Sequence, residues 1–527
     1  MDQKILDQIT DIWFNVKEKT ITCCPGVFGS EGENKRFNGG TGDGAVGGSG
    51  QHEMSAFKSF DKPDVNTSLQ GEYDELGEHG FKANRSVDVV EGEFNEYGGD
   101  PRNKISAWQA GWNVTNAIQG MFIVCLPYAT LHGGYWAIFA LVAIAYICCY
   151  TGKILIACLY EVDETGQLVR VRDSYVSIAQ AVMGEKYGGK IVNIAQIIEL
   201  LMTCILYVVL CGDLMIASFP SNTYDQRCWM MTSAILLLPC AFLKDLKSVS
   251  TLSFWCTIAH IVINIIIFGY CFLQIGDWNW SAVTFHIDFQ TFPITVGIVV
   301  FSYTSQIFLP SLEGNMADRN EFGKMLDWSH IAAAAFKGLF AYVGFLTFGE
   351  ATQKEITNNL PTHGFKAIIN IILVVKALLS YPLPYYAAAG LIETALFKRK
   401  PNEDNPHGVG SQPFPTCWER DGEYRVWAIS LRVLLVLFTL IVAISIPQFA
   451  LLMGLVGNIT GTMLSFVWPC YFHMKIKWDE MDTQTRAWEI SIICIGLVSG
   501  FIGVISSFNA FIDVYHLPLP YAPVEMA

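Results

Sequence analysis

The sequence predicts an all-α polytopic membrane protein with about eleven transmembrane helices. Of its 527 residues, 52% are hydrophobic and only 16% are charged, whereas soluble domains carry about 25% charged residues. The apolar residues fall in long runs, and a run of about 18 or more residues can cross a bilayer as a helix. This composition requires the lipid bilayer as a partner and excludes a soluble globular fold.

The first 103 residues precede the apolar runs and differ from them in composition. They contain ten Lys or Arg and nineteen Asp or Glu, and the glycine-rich stretch GGTGDGAVGGSG occupies 39–50. We expect a disordered acidic cytosolic tail over 1–103, and its negative charge argues against nucleic acid as a partner. Apolar residues at helical spacing before Cys23 and Cys24 predict a short amphipathic helix, which palmitoylation of both cysteines would tether to the membrane. The alternative is a frayed helix without a function.

Eleven apolar runs define the membrane domain, which we assign to 104–512, followed by a short tail over 513–527. The fourth run has about 15 residues and contains Pro239, so it is the weakest of the eleven. The expected spans are 108–131, 134–158, 188–218, 229–243, 252–275, 292–312, 328–349, 364–389, 426–446, 448–472 and 488–510.

The loops between the spans indicate the orientation. Loops on the side of the N-terminal tail contain fifteen Lys or Arg, whereas the opposite loops contain only Arg227 and Lys354. Basic residues accumulate in cytosolic loops, so we expect a cytosolic N-terminus and, after an odd number of spans, a C-terminus across the membrane in the lumen. Asn279 belongs to a sequon in a non-cytosolic loop and is a candidate for N-glycosylation.

Two spans contain polar and helix-breaking residues at matching positions. Span 1 reads WNVTNAIQGMFIVCLPYA, and span 6 contains FSYTSQIFLPSLEG. Unpaired backbone is costly in lipid, so such interruptions persist where they line a cavity. Interruptions five spans apart indicate two inverted five-helix repeats with broken helices 1 and 6 and a substrate site between them. We expect an unwound hinge over 116–121 whose amides hold a substrate carboxylate; helix packing through small and polar residues is the alternative.

Three ionisable side chains within the spans are candidates for proton coupling. Glu199 lies on a polar stripe of span 3, where an ionised carboxylate is costly, which suits a proton carrier. The alternatives are an ion pair with Lys376 or a hydrogen bond to a facing helix. His260, one turn before Asn264 in span 5, is either a proton relay or a satisfied buried imidazole. Lys376 in span 8 could replace a bound metal cation with a fixed ammonium.

Other polar residues within the spans are less informative. Lys337 and Arg432 are expected to snorkel toward the membrane surface, and Asn458 and Thr460 interrupt span 10 without indicating a role. The sequence contains no HExxH motif, no pair of Cys-x-x-Cys motifs, no phosphate loop and no Ser/His/Asp order typical of a hydrolase. We therefore expect no enzymatic activity, no catalytic residues, no bound metal and no cofactor.

Seven motifs between 104 and 471 resemble those of the amino acid/auxin permease family, in particular its vesicular members. The resemblance implies the two inverted five-helix repeats and an eleventh helix. It also implies proton-driven antiport that loads GABA and glycine from the cytosol into synaptic vesicles. The motifs are WNVTNAIQGMF, LPYATLHGGYW, CCYTGKILIACLYE, RVRDSYV, VNIAQIIELLMTCILYVV, FSYTSQIFLPSLEGNM and KALLSYPLP.

The resemblance also implies the partners and the contacts of the substrate, which is GABA, glycine or another small neutral amino acid. Protons are the coupling ion, a vesicular proton pump is the functional partner, and a role for chloride stays open. Two alternatives remain within the family: a plasma-membrane or lysosomal proton–amino acid symporter, and an amino acid sensor. The implied substrate contacts are Asn116, Gln119, Gly120 and Met121 in span 1, Tyr303, Thr304 and Ser305 in span 6, and Glu199 and Tyr207 in span 3.

Overall fold

The structure is a computed structural model of the whole chain. It describes residues 104–184, 186–220, 224–242, 246–278, 280, 283–285, 287, 289–396 and 425–516. The predicted acidic tail with Cys23 and Cys24, the sequon at Asn279 and most of the predicted C-terminal tail lie outside the described residues.

Within these residues the chain forms fifteen α-helices and one two-stranded hairpin. The hairpin pairs β1 (Tyr160–Val162) with β2 (Leu168–Arg170) in antiparallel register, Tyr160 opposite Arg170. The helices are α1 (Ala107–Ile118), α2 (Leu126–Ala157), α3 (Tyr175–Met183), α4 (Gly188–Ser218), α5 (Gln226–Leu237), α6 (Leu246–Leu273), α7 (Phe292–Tyr303), α8 (Leu309–Gly314), α9 (Phe322–Phe348), α10 (His363–Ser380), α11 (Pro382–Leu396), α12 (Arg425–Ser445), α13 (Phe449–Val456), α14 (Trp468–Lys477) and α15 (Thr483–His516).

Helical segments cover each of the eleven predicted spans, so the predicted all-α membrane fold class is confirmed. Seven helices in the described part of the chain are long and apolar enough to cross a membrane by themselves, and two shorter apolar helices accompany them. The weak fourth span is present as α5, which continues into a 3-10 turn over Leu238–Phe242 that contains Pro239. The last helix is longer than predicted and ends at His516.

A glycine separates spans 1 and 2, which run together as α2. Gly134 has φ +52°, a conformation that side chains with a Cβ rarely adopt. The next amide, that of Tyr135, donates to the carbonyl oxygen of Thr284 at 3.1 Å. A Cβ on Gly134 would lie 2.1 Å from that oxygen. Glycine is therefore required here by both the backbone conformation and the close approach of the loop.

Spans 1 and 6 are both broken as predicted, but the break in span 1 is shorter than the expected 116–121, because the α-helix continues to Ile118. Span 1 begins at the capping box of Ser106 and Gln109 and leaves the α-helix after Ile118. Gly120 is non-helical (φ −20°, ψ −178°), and a 3-10 segment follows over Met121–Cys125. In span 6, α7 ends at Tyr303, and the chain is extended at Thr304 (ψ 108°) before α8 begins. The breaks lie five spans apart, as expected for two inverted repeats.

Span 10 has a third irregularity, which packs against the break in span 6. Two π-helical segments, Gly457–Gly461 and Met463–Val467, interrupt this span between α13 and α14. A Cβ on Gly457 would lie 1.9 Å from the carbonyl oxygen of Gly297 in α7. The two backbones are therefore in direct contact, an approach that only small residues allow.

The buried lysine and arginine of the spans do not snorkel, so that expectation was wrong. Lys337 is 1% exposed and Arg432 3% exposed. Arg432 forms an ion pair with Glu393 at 2.6 Å, which satisfies its charge inside the helix bundle. Large apolar side chains cover the outside instead; Phe139 on α2, for example, is 65% exposed. This surface suits contact with lipid tails.

Candidate functional site

A cavity of about 100 Å³ lies where the broken spans 1 and 6 meet spans 3 and 8. Its walls are apolar over most of their surface, with Phe122, Phe301, Ile307 and Leu383 among the lining residues. The polar side chains that line it come from four different spans: Asn116, Glu199, Thr203, Tyr207, Ser302, Thr304, Lys376 and Ser380. The volume is well below the roughly 300–1,000 Å³ of pockets for drug-sized ligands, so the cavity suits a small molecule.

Glu199 reaches the cavity from the middle of α4 and is 3% exposed. Its Oε2 accepts a hydrogen bond from the hydroxyl of Thr460, which lies in the first π-helical segment of span 10. Glu199 therefore makes a hydrogen bond to a facing helix while its side chain also lines the cavity. The sequence analysis did not assign a role to Thr460, although its interruption of an apolar span was visible. Such π-helical turns are frequent at functional sites.

Lys376 lines the cavity from α10 and connects it to His260. The Nζ of Lys376 lies 2.6 Å from Nδ1 of His260 in α6. His260 is 6% exposed and is not among the residues that line the cavity. The imidazole therefore contacts one residue of the cavity lining, Lys376, without lining the cavity itself.

The side-chain amide of Gln306 forms hydrogen bonds across the break in span 6. Gln306 was not among the predicted site residues. The backbone amide of Ser305 donates to Oε1 of Gln306 at 3.0 Å, and the hydroxyl of Ser465 donates to the same oxygen at 2.8 Å. The Nε2 of Gln306 donates to the carbonyl oxygen of Cys148 at 3.3 Å. Gln306 thus accepts from one backbone amide that the missing helical turn leaves free, as buried backbone requires, and it ties the break to spans 2 and 10.

Lys337 holds the other side of this break. Its Nζ donates to the carbonyl oxygen of Ser302 at 2.5 Å and to the Ser302 hydroxyl at 3.0 Å. The same Nζ lies 3.7 Å from the centre of the Tyr303 ring. A cation at the C-terminal end of α7 is favourable because the last helical carbonyls carry partial negative charge. Ser302 lines the cavity, so Lys337 acts on the site through one residue.

The first turn after the break in span 1 belongs to an aromatic cluster. The ring of Phe122 stacks on Tyr207 with a centroid distance of 5.3 Å and meets Phe301 edge-on at 5.1 Å. It also stacks on Phe449 of span 10 at 5.9 Å. Phe122 and Tyr207 line the cavity. The cluster therefore joins both broken spans to spans 3 and 10 at one wall of the site.

The far end of α8 is anchored by the hairpin between spans 2 and 3. Glu313 is 1% exposed and accepts a hydrogen bond from the Tyr160 hydroxyl. Arg170 and Arg319 approach the same carboxylate at 3.5 and 3.8 Å. Two cations and a hydroxyl thus compensate the buried charge, as a buried carboxylate requires.

The structure brings together part of the predicted set of site residues. Lining the cavity are Asn116, Gly120, Tyr207 and Thr304 from the predicted substrate contacts, and Glu199 and Lys376 from the predicted coupling residues. Close to the cavity but not lining it are Gln119, Met121, Tyr303, Ser305 and His260. Met121 and Tyr303 are fully buried in the hydrophobic core.

The cavity combines one acidic and one basic side chain within apolar walls. An amino acid zwitterion carries one ammonium and one carboxylate, and two opposite charges in a small low-dielectric space match both of them. The non-helical backbone at Gly120 lines the same cavity, and interrupted helices of this kind form the substrate sites of inverted-repeat transporters. The chemistry of the site therefore favours a small neutral amino acid over an anion or a large ligand.

Comparisons with known proteins identify the family of the chain. The family model described as "Transmembrane amino acid transporter protein" matches residues 103–509. The vesicular inhibitory amino acid transporter of Rattus norvegicus is 51% identical over 434 residues, covering 82% of this chain and 81% of its own length. The vesicular GABA transporter of Caenorhabditis elegans is 51% identical over 399 residues, covering 76% and 78%.

The solved structure of MhsT in complex with L-phenylalanine aligns with 77% of this chain and 99% of its own, with 13% identity and a TM-score of 0.47. The family match spans most of the chain, from the first helix to the last. The relatives named above are transporters, and their identity extends over more than three quarters of the sequence. The chain therefore belongs to the transmembrane amino acid transporter family.

Proposed function

We propose that this protein is a proton-coupled antiporter that loads GABA and glycine from the cytosol into synaptic vesicles. One observation carries the proposal: Glu199 and Lys376 line the same small cavity at the meeting point of two broken helices. The names of the rat and nematode relatives, which refer to vesicles, inhibitory amino acids and GABA, support the choice of substrate and membrane.

Antiport follows from competition at Glu199. The buried carboxyl can be neutralised by a proton or by the ammonium of a substrate, but not by both at once. In this scheme the carrier with a proton on Glu199 and the carrier with bound substrate open to different sides of the membrane. One proton must then leave the vesicle for each amino acid that enters it. Asn116 and the non-helical backbone at Gly120 would hold the substrate carboxylate together with Lys376. No bound cofactor takes part in this scheme, and a chloride requirement is left to measurement.

The driving force of a vesicular proton pump is sufficient for this exchange. One pH unit is equivalent to about 1.4 kcal/mol per proton, and a membrane potential of about 100 mV adds roughly 2.3 kcal/mol. Exchange of one proton for one neutral zwitterion would therefore sustain a concentration ratio of about two to three decades. The proposed orientation, with a cytosolic N-terminus and a luminal C-terminus, rests on the fifteen basic residues against two in the loops.

Uptake into proteoliposomes with an acidic interior tests the proposal. Labelled GABA and glycine should accumulate, β-alanine less and glutamate least. Glu199→Gln should abolish uphill uptake while the protein still folds, because the amide oxygen of Gln can still accept from Thr460. Glu164→Gln, in an exposed turn of the hairpin, is the matched control. Full uptake by Glu199→Gln would remove this residue from the coupling role.

The same assay separates the alternatives. Uptake that occurs down the proton gradient, with protons and substrate moving together, would replace the antiporter with a symporter. Substrate binding with negligible flux in either direction would indicate a sensor.

A further inference from the structure

A second carboxyl, that of the half-buried Asp213, lies on the same helix as Glu199, close to the C-terminal end of α4. Asp213 follows Glu199 by about 21 Å along the helix axis, at 1.5 Å per residue. Glu355, in the segment between α9 and α10, is 4% exposed, and its charge acts directly on Asp213. We refer to Asp213 and Glu355 as the acid pair. The loop that contains Glu355 also contains Lys354. The distribution of basic residues predicts that this loop lies on the non-cytosolic side.

Buried acceptors without partners surround the acid pair. Within the described residues, Oε1 of Glu355, Oγ1 of Thr357 and Oδ1 of Asn370 have no hydrogen-bond partner. Thr357 and Asn370 are both 0% exposed. Buried polar atoms in native structures are almost always paired. The oxygens of Glu355 and Asn370 can only accept, so both call for a missing donor. A proton on Glu355 would provide one, because a protonated carboxyl donates through its hydroxyl.

The donors already present hold the acid pair in place. Asn358 donates from Nδ2 to Oε2 of Glu355 at 3.1 Å, and Asn370 donates from Nδ2 to Oδ1 of Asn358 at 3.1 Å and to the carbonyl oxygen of Leu214 at 3.3 Å. Gln226 donates from Nε2 to Asp213. The bonds of Asn358 and Asn370 tie the loop to spans 3 and 8, and the bond of Gln226 ties span 4 to Asp213. Oε1 of Glu355 and Oδ1 of Asn370 stay without a partner.

The other titratable groups around the pair are few. Lys354 is the nearby cation, and its Nζ donates to Oε1 of Gln448 at 2.9 Å. Cys125 and Tyr128 face the pair from span 1. Burial raises the pKa of Glu355 to about 7, while Lys354 opposes this rise. Glu355 therefore changes its protonation state within the range between a neutral and an acidic compartment.

One short segment connects the acid pair to the substrate cavity. In the 3-10 segment Met121–Cys125, Phe122 lines the cavity. The same segment packs against Ile356–Asn359, which directly follows Glu355. The segment belongs to broken span 1, which is the part of the chain expected to rearrange during transport. A change of charge at the acid pair would therefore act on the segment Met121–Cys125, which lies between the acid pair and the cavity.

We propose that the acid pair is a second proton-binding site, which takes a proton from the non-cytosolic side before it reaches Glu199. The proton adds to the unpartnered oxygen of Glu355, converts the carboxylate to a carboxylic acid and leaves again when the carboxyl of Glu199 accepts it. The direction of this transfer rests on the proposed antiport, whereas the existence of the site does not.

Transport by Glu355→Gln tests the role of the site. We expect proton-driven GABA uptake to fall by about tenfold or more. GABA/GABA counterflow at equal pH needs no net proton movement and should stay within about twofold. Glu350→Gln is the matched control, because Glu350 lies five residues earlier and is exposed. Equal loss of both activities in Glu355→Gln, or no loss of either, would overturn the proposal.

Thermal unfolding of the purified protein tests the site without any transport. Because the pKa of Glu355 is raised in the folded state, the folded protein binds the proton more tightly than the unfolded chain does. The midpoint should therefore fall as the pH rises from about 6 to about 8. This fall should be smaller in Glu355→Gln and in Asp213→Asn than in Glu350→Gln. If the midpoint changes equally with pH in all the variants, the proposal is overturned even if antiport is confirmed. If sodium or calcium raises the midpoint of the wild type but not that of Glu355→Gln, the site binds a metal cation instead of a proton.

Discussion

Substitution of Gly457 by alanine should separate the broken span 6 from span 10. The added Cβ would lie 1.9 Å from the carbonyl oxygen of Gly297 and 3.0 Å from Cβ of Phe301. Restoring an ordinary contact requires a shift of about 1 Å, and overpacking of this kind costs about 1–3 kcal/mol. The same shift would move Thr460 relative to Glu199. Misplacement by about 1 Å at a positioned group can reduce a rate by about two orders of magnitude.

The assay compares Gly457→Ala with Gly338→Ala. A Cβ on Gly338, in the interior of α9, would meet no atom within 4 Å, so that variant should keep its stability and its transport. We expect Gly457→Ala to unfold at a lower temperature and to lose most GABA counterflow. If both variants match the wild type in the unfolding midpoint and in counterflow, the direct backbone contact between spans 6 and 10 is wrong.

Two further substitutions test other parts of the site. Lys337→Met removes the two hydrogen bonds that Nζ donates to Ser302; because Ser302 lines the cavity, counterflow should fall by about tenfold. The unfolding midpoint should change little, because a buried ammonium without a carboxylate partner is itself costly. Unchanged counterflow would refute this role. Phe122→Ala should cost about 3–5 kcal/mol through lost packing and lower the midpoint well below that of Phe139→Ala, which removes a 65% exposed ring; equal midpoints would contradict the aromatic cluster.

The interruptions of spans 1 and 6 could be predicted because they are local properties of the chain. Polar residues, glycine and proline within an apolar run weaken the helix there, and the freed backbone groups are tolerated in a membrane only where they line a cavity or contact protein. Gly120 and Thr304 are non-helical for this reason. The direction of the side chains beside each break was less predictable. Met121 and Ser305 flank the breaks, yet neither lines the cavity, because a small rotation of the chain decides which side chain points inward.

The pairing of buried polar groups could not be predicted from the sequence. Glu199 bonds with Thr460, Lys376 lies against His260, and Lys337 holds Ser302. Each partner lies on a different span from the residue it contacts, separated along the chain by between 35 and 261 positions. Hydropathy shows that a polar group must be satisfied inside the bundle but contains no information about which helix will satisfy it.

The sequence by itself determined that this protein crosses a membrane many times, where its spans lie and which two of them are broken. These properties depend on hydrophobicity and backbone hydrogen bonding within single segments. Only the tertiary structure decided that Glu199 and Lys376 share one cavity, that Lys337 and Gln306 hold the break in span 6, and that Asn370 ties the loop of Glu355 to span 3. Such contacts arise from the packing of helices that are distant in the chain, and packing is a property of all the spans together.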